Sequence, residues 1–159
     1  MVITHRKDDF DLKMPTRAVI SGGAKRSNPQ QRLIVGKNEF KKYRKRLNKT
    51  QKQMAELLGT SLKAIHSYEQ GWRTIPTYIE RQLFFLLSMS LKKKGKSIPS
   101  CWKVKKCTAK QKSQCPAWEF AAGDFCWLIN GTICNGIPQK NWKQKMKICH
   151  NCKVFSYFL

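Results

Sequence analysis

The chain has 159 residues, of which 32 are Lys or Arg and 9 are Asp or Glu, so its formal net charge is +23 at pH 7. Such a positive field concentrates polyanions, of which nucleic acid is the commonest. The longest apolar run, LFFLL, is too short to span a bilayer, and the first residues lack the apolar core of a secretory signal. We therefore expect a cytoplasmic protein that does not associate with a membrane.

Composition divides the sequence into four segments. Residues 1–35 mix both signs of charge with Pro and Gly and have no sustained period, which is typical of a flexible basic N-terminal arm. Residues 36–91 have helical periodicity and no cysteine. Residues 92–100 read as a basic linker, and residues 101–159 hold all seven cysteines. We expect a mainly α protein, with a helical domain followed by a small cysteine-rich, metal-stapled irregular module.

The helical domain opens with a basic amphipathic helix from Lys37. Phe40, Tyr43 and Leu47 fall at helical spacing, while lysines and arginines occupy the remaining face. The apolar stripe predicts burial on one side and leaves the positive charge in solvent.

Two further helices follow, each with its own start and stop signal. Thr50 and Gln53 form a capping box, and Gly59 ends the helix that starts there. Ser61 can cap the next helix, which Gly71 closes in the left-handed conformation. The pattern predicts two helices joined by a tight turn.

A fourth helix is expected after Ile75. Thr77 and Glu80 have capping-box spacing, and Ile79, Leu83, Leu86 and Leu87 form an apolar stripe. The product would be a compact all-helical unit.

The crossing of the second and third helices carries a family resemblance. Ala55 is the small residue at the crossing, and Gly59 is the glycine of the turn. Ile65 is the branched apolar residue that fills the space where the helices cross. With the runs TQKQMAELLG and SYEQGWRTIP, the segment at about 37–90 resembles the phage-repressor-like (XRE) helix-turn-helix family. The resemblance implies double-stranded DNA as partner, with the second helix of the motif in the major groove.

The resemblance also assigns roles to individual residues. With Ile65 and Tyr68 pointing inward, helix geometry leaves Leu62, Lys63, His66 and Ser67 on the outer face of the third helix. The resemblance implies that Gln51 clamps the DNA backbone or a base and that these four residues are the base-reading positions. It implies phosphate contacts from Arg73, Lys41 and Lys45. Trp72 is expected to pack over the loop. We expect homodimers on two half-sites, with the end of the fourth helix near Phe84 and Phe85 as the candidate interface.

The cysteine spacing is C-x5-C-x7-C-x10-C-x7-C-x14-C-x2-C. Since cytosol is reducing, metal ligation or redox chemistry explains these residues better than structural disulfides. The layout resembles a "two-CW" module appended to regulators and sensors, which has no secure assigned chemistry. Thiolates suit zinc and iron–sulfur clusters alike. Cys149 and Cys152 are expected to share one metal with two of the others, and all seven cysteines are candidate ligands: Cys101, Cys107, Cys115, Cys126, Cys134, Cys149 and Cys152.

The sequence contains no arrangement typical of an active site, and we expect the protein not to be an enzyme. We interpret it as a sequence-specific DNA-binding transcriptional regulator whose cysteine tail binds zinc or an iron–sulfur cluster and senses redox or metal state. The alternative is a zinc-stapled adaptor that is tethered to DNA and docks a partner protein through its tail.

Overall fold

The computed structural model describes residues 35–157 and residue 159. The predicted N-terminal arm, apart from the buried Val35, lies outside the described residues. The described part is mainly helical, as expected. Its longer helices are α1 Lys37–Arg46, α2 Gln51–Leu57, α3 Leu62–Gln70, α4 Thr77–Lys93 and α8 Trp142–Cys149.

The cysteine segment adds several short elements. They are the helices α5 Cys101–Val104, α6 Ala109–Ser113, α7 Pro116–Glu119 and α9 Lys153–Ser156, the 3-10 helix Cys126–Leu128, and the strands β1 Ile133–Cys134 and β2 Ile137–Pro138. The two strands pair antiparallel, Ile133 opposite Pro138 and Cys134 opposite Ile137. This segment is irregular, as the sequence predicted.

The caps of the helix-turn-helix confirm the local signals. The Thr50 hydroxyl accepts from the Gln53 amide, and the Gln53 side chain accepts from the Thr50 amide. The Ser61 hydroxyl caps α3 by accepting from the Ala64 amide at 3.1 Å. Gly71 ends α3 at φ 78°, where a side chain would be strained. The turn between α2 and α3 therefore forms where the sequence predicted it.

The start of α4 differs from the expectation. The N-cap is Pro76, so Thr77 is already helical and makes no side-chain cap, and the predicted Thr77–Glu80 capping box is wrong. Glu80 is buried instead, and its two oxygens accept from the Val35 amide at 3.1 Å and the Trp142 indole at 2.9 Å. A carboxylate drawn into distant contacts cannot fold back to cap its own helix.

The cysteine segment packs on α4 through aromatic side chains. The Phe84 ring lies 5.0 Å from Phe155 and 6.2 Å from Trp127, centroid to centroid. Lys92 forms an ion pair with Asp124 at 2.5 Å. The helical segment and the cysteine segment thus share one core.

The burial of Phe84 corrects the expected dimer surface. Phe84 is inaccessible to solvent, because the tail aromatics cover it, whereas Phe85 is 41% exposed. Only Phe85 of that pair can contact a second copy.

Within the described residues, no helix has the length and apolar character needed to cross a bilayer.

Candidate nucleic-acid interface and cysteine cluster

One face of α3 projects away from the core. Leu62, Lys63 and His66 are exposed, with half of the Leu62 side chain accessible, whereas Ile65 and Tyr68 are buried. The side chains at 62, 63 and 66 lie on one side of a helix because these positions are separated by one, three and four residues. The outer face therefore offers an ammonium donor, an imidazole and an apolar group to a ligand.

Ser67 does not lie on that outer face. It is 8% exposed, and its hydroxyl donates to the Lys63 carbonyl at 2.8 Å. The chain after α3 folds back over it, with the Trp72 amide donating to the Ser67 carbonyl at 3.0 Å. The expectation that Ser67 is outward-facing was wrong, because helical spacing alone did not include the turn that covers this edge. Its contact with DNA stays a prediction.

Gln51 lies at the start of α2 and is held by a network across three helices. Its side-chain amide donates to Glu69 of α3 at 2.9 Å. Glu69 also accepts from Arg44 of α1 at 2.5 Å and 2.9 Å, a two-pronged ion pair. A third nitrogen of Arg44 donates to the Lys49 carbonyl at 2.8 Å. The network fixes the position of Gln51 relative to α3 before any ligand is bound.

The electrostatics of this network favour an ionised carboxylate. Burial by itself would raise the pKa of Glu69, but the hydrogen bonds from Arg44 and Gln51 and the Arg44 charge outweigh it and lower that pKa. The same contact raises the pKa of Arg44. Glu69 is thus charged at neutral pH. Nothing in the sequence indicates this network, because the partners of Glu69 lie 18 and 25 residues away.

Cationic side chains flank α3 on the protein surface. Lys41 and Lys45 on α1 are exposed, and Arg73 is exposed directly after the α3 turn, where its amide faces the Ser67 carbonyl at 3.4 Å. The contact of these side chains with phosphates stays a prediction.

Trp72 was expected to pack over the loop, and this was wrong. Its side chain is 72% exposed and meets the His66 ring edge-on at 5.3 Å. A large aromatic beside an outer-face residue of α3 is a further candidate for DNA contact. In the sequence, the position of Trp72 directly after Gly71, the residue that ends α3, was the signal that could have placed it beside that helix.

The cysteine segment holds its seven cysteines as free thiols. The pKa of Cys101 on α5 is lowered, chiefly by its interaction with the thiol of Cys126 on the 3-10 helix. The same interaction, together with burial, raises the pKa of Cys126. Burial raises the pKa of Cys149 to about 12.

A buried cation lies beside these thiols. Lys145 of α8 has no solvent exposure, and its ammonium donates to the Thr132 hydroxyl. Its charge acts on Cys101, Cys126 and Cys149, favouring the thiolate of each. A fully buried ammonium is costly unless a partner compensates it, and a neutral hydroxyl compensates only part of the charge.

In the part of the chain that the structure describes, no three His, Cys, Asp or Glu side chains converge as ligands of one ion. Cys149 ends α8 and Cys152 is the N-cap of α9, both buried, and the expected zinc or iron–sulfur site built on them stays a prediction.

Comparison with known families gives a match to the helix-turn-helix model over residues 40–80. This confirms the XRE-type helix-turn-helix resemblance for α1 to the start of α4, and DNA binding is the function that such a domain supports. The cysteine segment lies outside the match. Neither curated proteins nor solved structures give a significant match.

Proposed function

Because residues 40–80 carry a helix-turn-helix domain of the XRE type, we propose that the protein is a sequence-specific transcriptional regulator that reads the major groove with α3. The observation that carries the proposal is the outer face of α3. Lys63 can donate to guanine O6 and N7, and Leu62 can contact a thymine methyl.

The Arg44–Glu69–Gln51 network supports this proposal, because residues that recognise DNA bases must be held rigidly. Gln51 is held by Glu69 near the start of α2, next to the helix that would enter the groove. Since its position is fixed in the free protein, little side-chain entropy is lost when it meets DNA.

Charge supplies the sequence-independent part of binding. Lys41, Lys45 and Arg73 are exposed on the segment that bears α3, and the chain as a whole has a net charge of +23. Phosphate neutralisation by such residues makes affinity fall steeply as salt increases. Base contacts from α3 would then select among sequences.

Selection from a pool of random duplexes tests the proposal. The full chain should enrich one sequence class at moderate salt, and that class should bind at least about 10³-fold more tightly than scrambled duplex. Equal affinity for all duplexes, at every salt concentration, would contradict sequence-specific regulation.

A second candidate function is the DNA-tethered adaptor, and exposed aromatics of the tail favour it. Phe120 and Trp118 are exposed, and the Trp118 ring packs edge-on against Trp102 at 4.9 Å. Aromatic groups in solvent are typical anchors of protein interfaces. In this case, Phe120→Ser should abolish capture of the partner protein while DNA affinity stays unchanged.

A further inference from the structure

A groove lies between the ends of α1 and α2 and the second half of α4. Its apolar lining consists of Leu47, which caps the end of α1, Leu57 at the end of α2, and Leu86 and Met89 of α4. The volume of this α2–α4 groove is about 430 Å³. Sites that hold a ligand in proteins have volumes of roughly 300–1,000 Å³, so the groove is large enough to receive side chains of a partner.

The apolar lining of the groove is accessible to solvent. Leu57 is 47% exposed and Met89 is 43% exposed, whereas Leu47 and Leu86 are partly buried against the core. Single exposed apolar residues are common on protein surfaces, but here several share one concave site. A partner that fills the groove would remove Leu57 and Met89 from water, and this favours association.

Positive charge borders the apolar lining. Lys49, just before α2, and Lys93, in the last turn of α4, both line the groove. Of the described residues that line it, none is acidic, and neither lysine forms an ion pair with another described residue. The Lys49 backbone is held in place, because its carbonyl accepts from Arg44 at 2.8 Å. The two ammonium groups can therefore pair with carboxylates of a ligand.

This charge disfavours a second copy of the chain as the occupant. A two-fold interface uses the same surface on both copies, so it would bring both lysines of one groove against both lysines of the other. The chain as a whole has a net charge of +23, which adds to the repulsion. An acidic partner meets no such repulsion and gains from the same field.

The apolar lining also separates a protein partner from nucleic acid. Phosphates could pair with Lys49 and Lys93, but they would leave Leu57 and Met89 without an apolar contact. An amphipathic helix satisfies both parts of the groove. Its apolar side chains recur at i, i+3, i+4 and i+7 on one face, and acidic side chains can flank that face.

We propose that the α2–α4 groove docks an acidic amphipathic helix of a partner protein. Apolar side chains of that helix enter between Leu57 and Met89, and its carboxylates pair with Lys49 and Lys93. The inference goes beyond the proposed reading of DNA and does not rest on it.

The groove is separate from the surface proposed to read DNA. No residue of α3 belongs to its lining in the described part of the chain. Leu57 lies six residues further along α2 than Gln51, which is about 9 Å at a rise of 1.5 Å per residue. A docked helix thus leaves the outer face of α3 accessible.

NMR of methionine methyl groups tests the site directly. Full-length protein is labelled with ¹³C at its methionine methyls and titrated with a synthetic helical peptide of about 15 residues, with Leu at the four anchor positions and Glu at most others. We expect the Met89 signal, assigned with Met89→Leu, to shift to saturation. The buried Met54 and Met146 are internal references and should change little.

Two control peptides separate charge from apolar contact. One has Lys in place of Glu, and the other keeps Glu but has Ser in place of Leu. Neither should shift the Met89 signal at concentrations where the acidic amphipathic peptide saturates it, because each lacks one half of the match to the groove.

Reversal of the groove charge gives the sharpest variant. The double change Lys49→Glu and Lys93→Glu should weaken the acidic peptide at least about tenfold and allow the lysine peptide to bind. The matched control is Lys110→Glu with Lys140→Glu, which removes the same charge at two exposed lysines outside the lining and should keep the preference of wild type. Leu57→Ser should also weaken the acidic peptide at least about tenfold, without unfolding, because nearly half of Leu57 is already exposed.

Four results would overturn the proposal. The first is no response of Met89 up to about 1 mM acidic peptide, and the second is saturable binding of that peptide without a Met89 shift. The third is an equal Met89 response to the acidic and the lysine peptides. The fourth is a Met89 shift when the protein alone is concentrated, since a second copy would then occupy the groove. None of these measurements uses DNA, so their failure and the failure of the proposed function are distinguishable.

Discussion

Replacement of Glu69 by Gln isolates the ion pair that ties α1, α2 and α3 together. The side chains of Arg44 and Glu69 are 12% and 3% exposed, and two hydrogen bonds join them. Removing one partner of a buried ion pair costs about 3–5 kcal/mol. Arg44 keeps its bond to the Lys49 carbonyl and some contact with water, so we expect Glu69→Gln to cost about 3 kcal/mol.

Urea denaturation at pH 7, followed by far-ultraviolet circular dichroism, measures this loss. Glu56→Gln is the matched control, since Glu56 is an exposed carboxylate on α2, and it should change the free energy of unfolding by at most about 0.5 kcal/mol. A loss below about 1 kcal/mol for Glu69→Gln would refute the assignment of the network as the tie between the three helices.

Acidity supplies a second readout of the same residue. The folded-state pKa of Glu69 is lowered from its ordinary value of 4.5. Its contribution to stability is therefore complete above pH 4.5 and is lost as the pH falls through the lower folded-state pKa. The stabilities of wild type and Glu69→Gln should therefore converge as the solution is acidified below that folded-state pKa, and a gap in acid as large as the gap at pH 7 would contradict the electrostatic argument.

Three further changes probe the fold and its assembly. Trp142→Phe removes the indole N–H that donates to the buried Glu80, so it should lower the free energy of unfolding by about 1.5–3 kcal/mol in a single urea transition. If only a separate transition of the cysteine segment is destabilised, the two segments do not fold together. Gly71→Ala places a Cβ at φ 78° and 3.0 Å from the Lys37 Cδ, so it should cost at least about 1 kcal/mol by thermal melting, and an unchanged melting temperature would contradict this. Phe85→Lys should turn DNA-bound dimers into monomers in sedimentation, while monomeric wild type on DNA would refute that interface.

Sequence reasoning located the helix-turn-helix because its signals are local. Each signal acts within a few residues, so the helix start or end that it causes can be predicted from neighbouring residues alone. The signals are Thr50 with Gln53, Ser61 with Ala64, and the left-handed Gly71. The inward positions 65 and 68 followed from helical spacing. Local caps and helical spacing are therefore the features of this fold that the sequence predicts directly.

Long-range contacts were not visible in the sequence. Glu80 had the spacing of a cap, yet Trp142, 62 residues away, takes its carboxylate into the core. Ser67 had outer-face spacing, yet the turn at Trp72 covers it. The Glu80 error comes from a contact between distant segments, whereas the Ser67 error comes from a turn five residues further along, which helical spacing alone does not include.

The cysteine segment was the hardest to predict for the same reason. The cysteine count indicated a metal or redox module, but cysteine spacing does not say which sulfurs meet. Cys101 and Cys126 are 25 positions apart, and the buried Lys145, whose charge acts on both thiols, lies on α8. A lysine among lysines in a basic tail gives no sign that it alone will be buried.

Base readout by α3 is the central claim, and a pair of lysine variants tests it most directly. On the selected duplex and on a scrambled duplex, affinities are measured at one salt concentration for Lys63→Ala and Lys45→Ala. We predict that Lys63→Ala loses about 1–3 kcal/mol on the selected duplex alone and relaxes preference at one base position, whereas Lys45→Ala weakens both duplexes by the same factor. Equal losses on both duplexes for Lys63→Ala would contradict the placement of α3 in the major groove.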